Sequence, residues 1–157
     1  FTFDGLVDEL IEEIQPITEK HQLIREGVTN KTIWGDRSRT GQVITNLLMN
    51  AIKYAPDTKR IIVKTQATDD TVTLSVQDFG PGIPPALQAK IFDPFYRLDD
   101  AKQNAISGLG LGLYISAEMI KRQDGHLWVE SEQGKGSTFS FTLPVADEHA
   151  PEKETAV

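Results

Sequence analysis

The sequence predicts an α+β domain: a two-layer α/β sandwich in which a mixed, mostly antiparallel sheet is covered on one face by three helices. Three observations predict it. Apolar residues recur at helical spacing in three separate segments. Two pairs of runs alternate apolar and polar residues across short polar turns. The helical segments are set between those pairs instead of being gathered at one end. Alternation of this kind fits a sheet with one buried and one wet face. At 157 residues the chain is long enough for one domain with a real core.

Taken in order, the elements are as follows. Leu6, Val7, Leu10, Ile11, Ile14 and Ile17 keep helical spacing, with Asp4 as candidate N-cap and Pro16 kinking or stopping the helix. Residues 22–28 and 31–34 read as short strands. Residues 39–54 form a second amphipathic helix, ended before Pro56, with Ile44, Leu47, Leu48 and Ala51 on its core face. Residues 60–67 and 72–77 alternate across Thr68, Asp69, Asp70 and Thr71 as a hairpin. Residues 81–98 are irregular with one or two helical turns, and 99–107 form a polar loop. Residues 110–123 are the third helix, and 126–131 with 137–143 form a second hairpin. The domain is expected to occupy 1–144, with 145–157 as a disordered acidic tail.

Charge narrows the partners. A net charge of −7 disfavours nucleic acid and anionic membrane, so a phosphate ligand needs local donors and a metal ion. With no cysteine, disulfides, zinc–thiolate sites and thiol catalysis are excluded, which suits a reducing compartment. No apolar run approaches the ~20 residues of a membrane span. The chain begins mid-pattern and without Met, which reads as a piece of a longer protein.

Three constellations carry chemistry. The first is Gly108-Leu109-Gly110-Leu111-Gly112-Leu113, running into a helix. Glycines let backbone N–H groups close on a ligand, and a helix N-terminus adds orphan donors that suit phosphate. The spacing is neither the dinucleotide fingerprint nor a Walker loop. The second is Asn46, Asn50 and Lys53 on the second helix, within roughly a 60° stripe. An amide oxygen is a hard neutral ligand for Mg²⁺, and a lysine one turn on meets phosphate oxygens. A plain solvated polar face is the competing reading. The third is Asp78-Phe79-Gly80-Pro81-Gly82-Ile83, ending an apolar strand. A carboxylate there can accept from the exocyclic amine of adenine and leaves the carbonyl of guanine facing an acceptor; an ordinary turn is the alternative. Asp78-Phe79-Gly80 also matches the magnesium motif of eukaryotic-type kinases. Only 13 residues separate Lys64 from Asp78, however, and no His-Arg-Asp loop exists, so that fold is excluded.

These blocks, with Ile91-Phe92-Asp93-Pro94-Phe95-Tyr96-Arg97 and Gly134-Lys135-Gly136-Ser137-Thr138-Phe139, fall in one order. Together they resemble the catalytic and ATP-binding domain of sensor histidine kinases, within the GHKL superfamily and its Bergerat fold, over about residues 1–144. The resemblance implies ATP and Mg²⁺ as cofactors. It makes Asn50 the Mg²⁺ ligand, with Asn46, Lys53 and Tyr54 completing the site, and Asp78 the reader of adenine. Gly80 and Gly82 would let the base approach, with Ile83 beside it. Phe92 and Phe95 would pack the base of a lid spanning 99–107. Arg97 would reach the γ-phosphate or contact the phosphoacceptor domain. Gly108, Leu109, Gly110, Leu111, Gly112 and Leu113 would form the phosphate loop, and Thr138 would back the adenine pocket.

Two absences refine the reaction. Hydrolytic members of the superfamily carry a glutamate one turn before the magnesium asparagine, and here that position is Asn46, an amide that takes no proton near neutral pH. Transfer is preferred over hydrolysis. The three histidines, His21, His126 and His149, head no phosphoacceptor motif and read as structural or solvated. The resemblance then implies an acceptor histidine on an upstream dimerisation and phosphotransfer domain, and indirectly a response regulator receiver domain. It implies no nucleic-acid or direct membrane contact, a monomeric isolated domain, and a cytoplasmic location, with or without a membrane anchor on the parent. Alternatives are a serine protein kinase of the anti-sigma-factor type, distinguished by its phosphoserine product, and a non-catalytic ATP-binding module.

Overall fold

The computed structural model describes residues 1–96 and 112–146. The described residues form α1 (Phe3–Ile14), β1 (Gln22–Glu26), α2 (Arg37–Tyr54), β2 (Arg60–Ala67), β3 (Thr71–Asp78), α3 (Gly112–Lys121), β4 (His126–Glu132) and β5 (Gly136–Pro144), with short 3₁₀ turns at Gln15–Ile17, Pro85–Leu87 and Lys90–Phe92. The strands make one sheet in the order β1-β2-β3-β5-β4. β1 runs parallel to β2, and the other pairs are antiparallel.

Alternation decides which sheet face the helices cover. Val72, Leu74 and Val76 of β3 are buried, as are Ile61 and Val63 of β2 and Phe139, Phe141 and Leu143 of β5. The residues between them stay half-exposed or polar; Ser75 and Ser140, for example, join their hydroxyls at 2.8 Å. On α2 the stripe Val43, Ile44, Leu47, Leu48 and Ala51 meets this face, and α1 adds Phe3, Leu6, Val7, Leu10 and Ile14. Each large side chain so buried contributes about 1.5–3 kcal/mol relative to exposure. Phe3 closes the core edge-on against Phe141, with ring centres 6.2 Å apart.

Local chemistry moves several expected boundaries. Asp4 does not cap α1: Thr2 holds the N-cap position without a side-chain bond. The Asp4 carboxylate instead accepts from the Thr29 and Asn30 backbone N–H groups and from Arg25. β1 stops at Glu26 because the Arg25 guanidinium takes the carbonyls of Glu26 and Gly27, both at 2.7 Å. Residues 31–34 make no strand of the sheet, only an isolated bridge between Thr2 and Thr32. α2 starts two residues earlier than expected, at Arg37, since Asp36 accepts from the Arg39 N–H at 3.0 Å as its N-cap. α3 ends at Lys121; beyond it Asp124 has φ +62°, which breaks the helical path. The tail does not begin at residue 145, because Val145 and Ala146 donate to the carbonyls of Asp70 and Thr32. Residues 147–157, the rest of the expected tail, lie outside the described residues.

Candidate nucleotide site

α2 runs from its capped start to a stop imposed by Pro56, and its last turn delivers Asn50, Lys53 and Tyr54 to the edge of a cavity of about 650 Å³. The opposite wall is the end of β3 and the turn after it, Asp78 through Pro84. Leu87, Ile91, Phe139 and Leu113 supply apolar lining, and Tyr96 stands at the rim. An apolar cleft with few polar groups is the usual form of a small-molecule site.

Asp78 is the chemical centre of this cavity. It is only 5% exposed, although an isolated carboxylate is costly to bury. One oxygen, Oδ1, accepts from the N–H of Gly80 at 3.0 Å and of Ser137 at 3.3 Å. Its other oxygen, Oδ2, has no hydrogen-bond partner among the described residues. Burial pushes the carboxyl pKa above the ordinary aspartate value, and the two backbone donors only partly offset it. The site thus presents a buried, under-satisfied acceptor to whatever enters.

The neighbouring turn is fixed by backbone packing. Gly82 has φ +77°, and a Cβ there would lie 2.3 Å from the Glu132 carbonyl oxygen. A Cβ on Gly80 would lie 2.8 Å from the Tyr54 carbonyl oxygen. Within the described residues, then, both glycines are demanded by the protein's own close contacts. Ile83 is buried and anchored by its N–H to Ser131 Oγ at 2.7 Å. Phe79 lies under the Arg60 guanidinium, 4.5 Å from the ring centre, and Lys53 Nζ stands 5.1 Å from the centre of the Tyr54 ring.

The structure brings together Asn50, Lys53, Tyr54, Asp78, Gly80, Gly82, Ile83 and Leu113 around the cavity. Asn46 is not on its lining: it sits one turn back and donates to Ser116 Oγ at 3.1 Å, with α3 beginning against it at Gly112. Phe95 is 67% exposed with φ +68° and stands off the lining, while its neighbour Tyr96 lines it. Phe92 packs edge-on near Phe139. Thr138 falls on the opposite sheet face, since side chains alternate along β5, and Ser137 lines the cavity in its place. Counting back by twos from the buried Leu143, Phe141 and Phe139 reaches Ser137, so the sequence held that signal. Leu87 also lies on the lining outside every sequence motif, and Ile91 lines it from the head of the 91–97 block. Arg97, Gly108, Leu109, Gly110 and Leu111 lie outside the described residues, as does the expected lid. Of the histidines, His21 is buried and hydrogen-bonded, His126 stacks on Trp128 at 5.5 Å, and His149 lies outside the described residues.

The fold and this cavity at the end of the second helix are matched by a known family of ATPase domains. The chain belongs to the family of histidine kinase-, DNA gyrase B- and HSP90-like ATPases, whose profile matches residues 35–147. Among curated proteins, the circadian input-output histidine kinase CikA of Thermosynechococcus vestitus is 34% identical across 97% of this chain and 22% of its own length. The adaptive-response sensory kinase SasA of the same organism is 44% identical across 72% of this chain and 30% of its own. Among solved structures, the mycobacterial sensor histidine kinase MprB superposes with a TM-score of 0.80 at 27% identity, covering 92% of this chain and 95% of that one. Full-length ShkA in complex with AMPPNP superposes at 0.82 with 29% identity, covering 96% of this chain and 32% of that one. The chain therefore spans under a third of the length of these curated relatives. The expected fold and family hold. No helix among the described residues is long and apolar enough to cross a membrane.

Proposed function

We propose that this domain binds ATP with Mg²⁺ and serves as the catalytic part of a sensor histidine kinase. It would pass the terminal phosphoryl group to a histidine on a separate dimerisation and phosphotransfer domain, with a response regulator receiver domain downstream. The observation that carries the nucleotide half is the buried Asp78 carboxylate, with Oδ1 held by two backbone donors and Oδ2 unmet among the described residues. An exocyclic amine satisfies that oxygen, whereas a carbonyl in its place would face a second acceptor. Ile83, Leu87, Ile91 and Phe139 suit the faces of a purine ring.

Donor chemistry supports the rest. Among the described residues no group of three acidic or imidazole side chains converges to hold a metal. Asn50, on the cavity lining, would be the protein ligand: a neutral amide oxygen that leaves the remaining positions to phosphate and water. Lys53 would meet phosphate oxygens, with residues 99–107 as the lid, 108–113 as the phosphate loop and Arg97 reaching the γ-phosphate or the phosphoacceptor domain. When bound, Mg²⁺ supplies neutralisation of charge on the phosphate oxygens. The chain's own task is binding and orientation. Asn46 is an amide already engaged with Ser116, so no base stands one turn before Asn50 to activate water.

Calorimetric titration with MgATP and MgGTP tests the proposal. ATP is expected to bind at least about tenfold more tightly, the equivalent of one buried acceptor left unpaired by guanine. Equal affinities, or no binding of either, would overturn it.

A further inference from the structure

The residues before position 35 lie outside the region matched by the family profile, yet one of them reaches the wall of the cavity. We propose that His21 is a positioning residue for nucleotide binding: it holds the Ala55 carbonyl, and with it the wall formed by residues 54–58, against the Asp78–Gly80 turn. This rests on the reading of the cavity as an adenine-nucleotide site.

The ring is held in one orientation. His21 is 4% exposed, and its Nε2 lies 2.6 Å from the Ala55 carbonyl oxygen. A carbonyl only accepts, so Nε2 carries the proton. Nδ1 lies 2.8 Å from Thr18 Oγ1, and the same hydroxyl oxygen accepts from the His21 N–H at 3.3 Å. A ring with its proton on Nε2 satisfies every bond. Behind the ring, the Gln15 amide spans the connection from α1 to β1: Nε2 donates to the His21 carbonyl and Oε1 accepts from the Leu23 N–H, both at 2.8 Å.

The receiving carbonyl sits where α2 has just ended. Ala55 has left the helix, with φ −127° and ψ 56°, and its oxygen takes two further, longer bonds from Thr58, at 3.3 Å from N and 3.1 Å from Oγ1. Residues 54–58 all line the cavity. On the far side Ala55 packs so closely on Gly80 that a Cβ there would lie 3.1 Å from the Ala55 Cβ. Gly80 in turn gives its N–H to Asp78 Oδ1 at 3.0 Å. The path Gln15–His21–Ala55–Gly80–Asp78 is thus continuous through contacts, and it ends on the carboxylate that reads the base. Loss of the imidazole removes the shortest bond to the carbonyl and the bulk behind it.

The test is MgATP affinity by calorimetry on the full chain, together with the amide chemical shifts of Gly80 and Ala55 in nucleotide-free protein. His21→Ala is expected to weaken MgATP binding by roughly tenfold, the equivalent of one lost buried hydrogen bond, and to move the Gly80 amide. His21→Gln, whose side-chain amide can donate to the same carbonyl, is expected to recover most of that loss. Thr18→Val, a near-isosteric change that frees the ring to turn, is expected to give a smaller loss in the same direction and keeps the test decisive if His21→Ala does not fold. Val7→Ala, a core change away from the cavity, should lower stability while leaving affinity within about twofold of wild type. The proposal is overturned if His21→Ala and Thr18→Val bind MgATP like wild type, or weaken it no more than Val7→Ala does. Failure of the wild-type chain itself to bind any adenine nucleotide would instead remove the cavity reading, and this inference with it.

Discussion

Asp78→Asn isolates the chemistry of one oxygen. Asparagine has the shape of aspartate, and its Oδ1 can still accept from the Gly80 and Ser137 N–H groups that now hold the carboxylate at 3.0 and 3.3 Å. What changes is the atom in the place of Oδ2, which turns from an acceptor into an NH₂ donor. In the proposed ATP complex it would face the adenine amine and replace a charge-assisted hydrogen bond with two opposed donors, a loss of about 2–4 kcal/mol in binding. ATP affinity should therefore fall roughly thirty- to several-hundred-fold, while GTP, which presents an acceptor, should lose much less or gain. The nucleotide-free protein should respond in the opposite sense. Burial raises the Asp78 pKa, so the folded state favours the protonated form. Its stabilising contribution is complete below the unfolded pKa and is lost as pH rises through the folded one. The variant carries no such penalty and should gain stability relative to wild type between acid and neutral pH. Calorimetry with both nucleotides and thermal unfolding at acid and neutral pH measure the two effects. Retention of ATP affinity within threefold in the variant, or a relative stability that falls toward neutral pH, would refute the reasoning.

Two further perturbations test other parts of the account. Gly82→Ala forces φ +77° on a residue with a Cβ placed 2.3 Å from the Glu132 carbonyl, and should cost about 1–3 kcal/mol in denaturant unfolding; an unchanged midpoint would contradict the packing described here. Asp4 loses something to burial, but the N–H groups of Asn30 and Thr29 and the Arg25 charge outweigh it and hold its pKa below the ordinary value. Its contribution is present above the unfolded pKa and is lost as pH falls through the folded one, so Asp4→Asn should cost about 1–2 kcal/mol at pH 7. That deficit should close as the pH drops below the ordinary aspartate range, and a pH-independent deficit would count against the assignment.

Much of this architecture was legible because its signals are local. Strict alternation in β3 marks Val72, Leu74 and Val76 as inward, and the helical stripe of α2 marks Ile44, Leu47, Leu48 and Ala51. Asn50, Lys53 and Asp78 could be placed because each sits at the end of such an element, where the chain geometry aims it. The misreadings have long-range causes. Asp4 looked like a cap from its neighbours, but its partners Thr29 and Asn30 lie some 25 positions away. Residues 31–34 have strand-like composition, yet Thr32 pairs with Thr2 outside the sheet. Thr138 and Ser137 differ by one step of strand parity, which exchanges the two faces. The parallel pairing of β1 with β2 depends on the whole crossover through α2, and no local pattern shows it. His21 sits in a polar stretch, and only the folded chain shows its ring buried against Ala55.

As proposed, this domain serves phosphoryl transfer from ATP to histidine. The longest native form of the protein, incubated with γ-labelled ATP and Mg²⁺, gives the most direct measurement, with protein-bound label followed in acid and in alkali beside an Asn50→Asp control. The account predicts a label that is lost in acid, survives alkali and is missing from the control. An acid-stable label, or a label undiminished by Asn50→Asp, would contradict it.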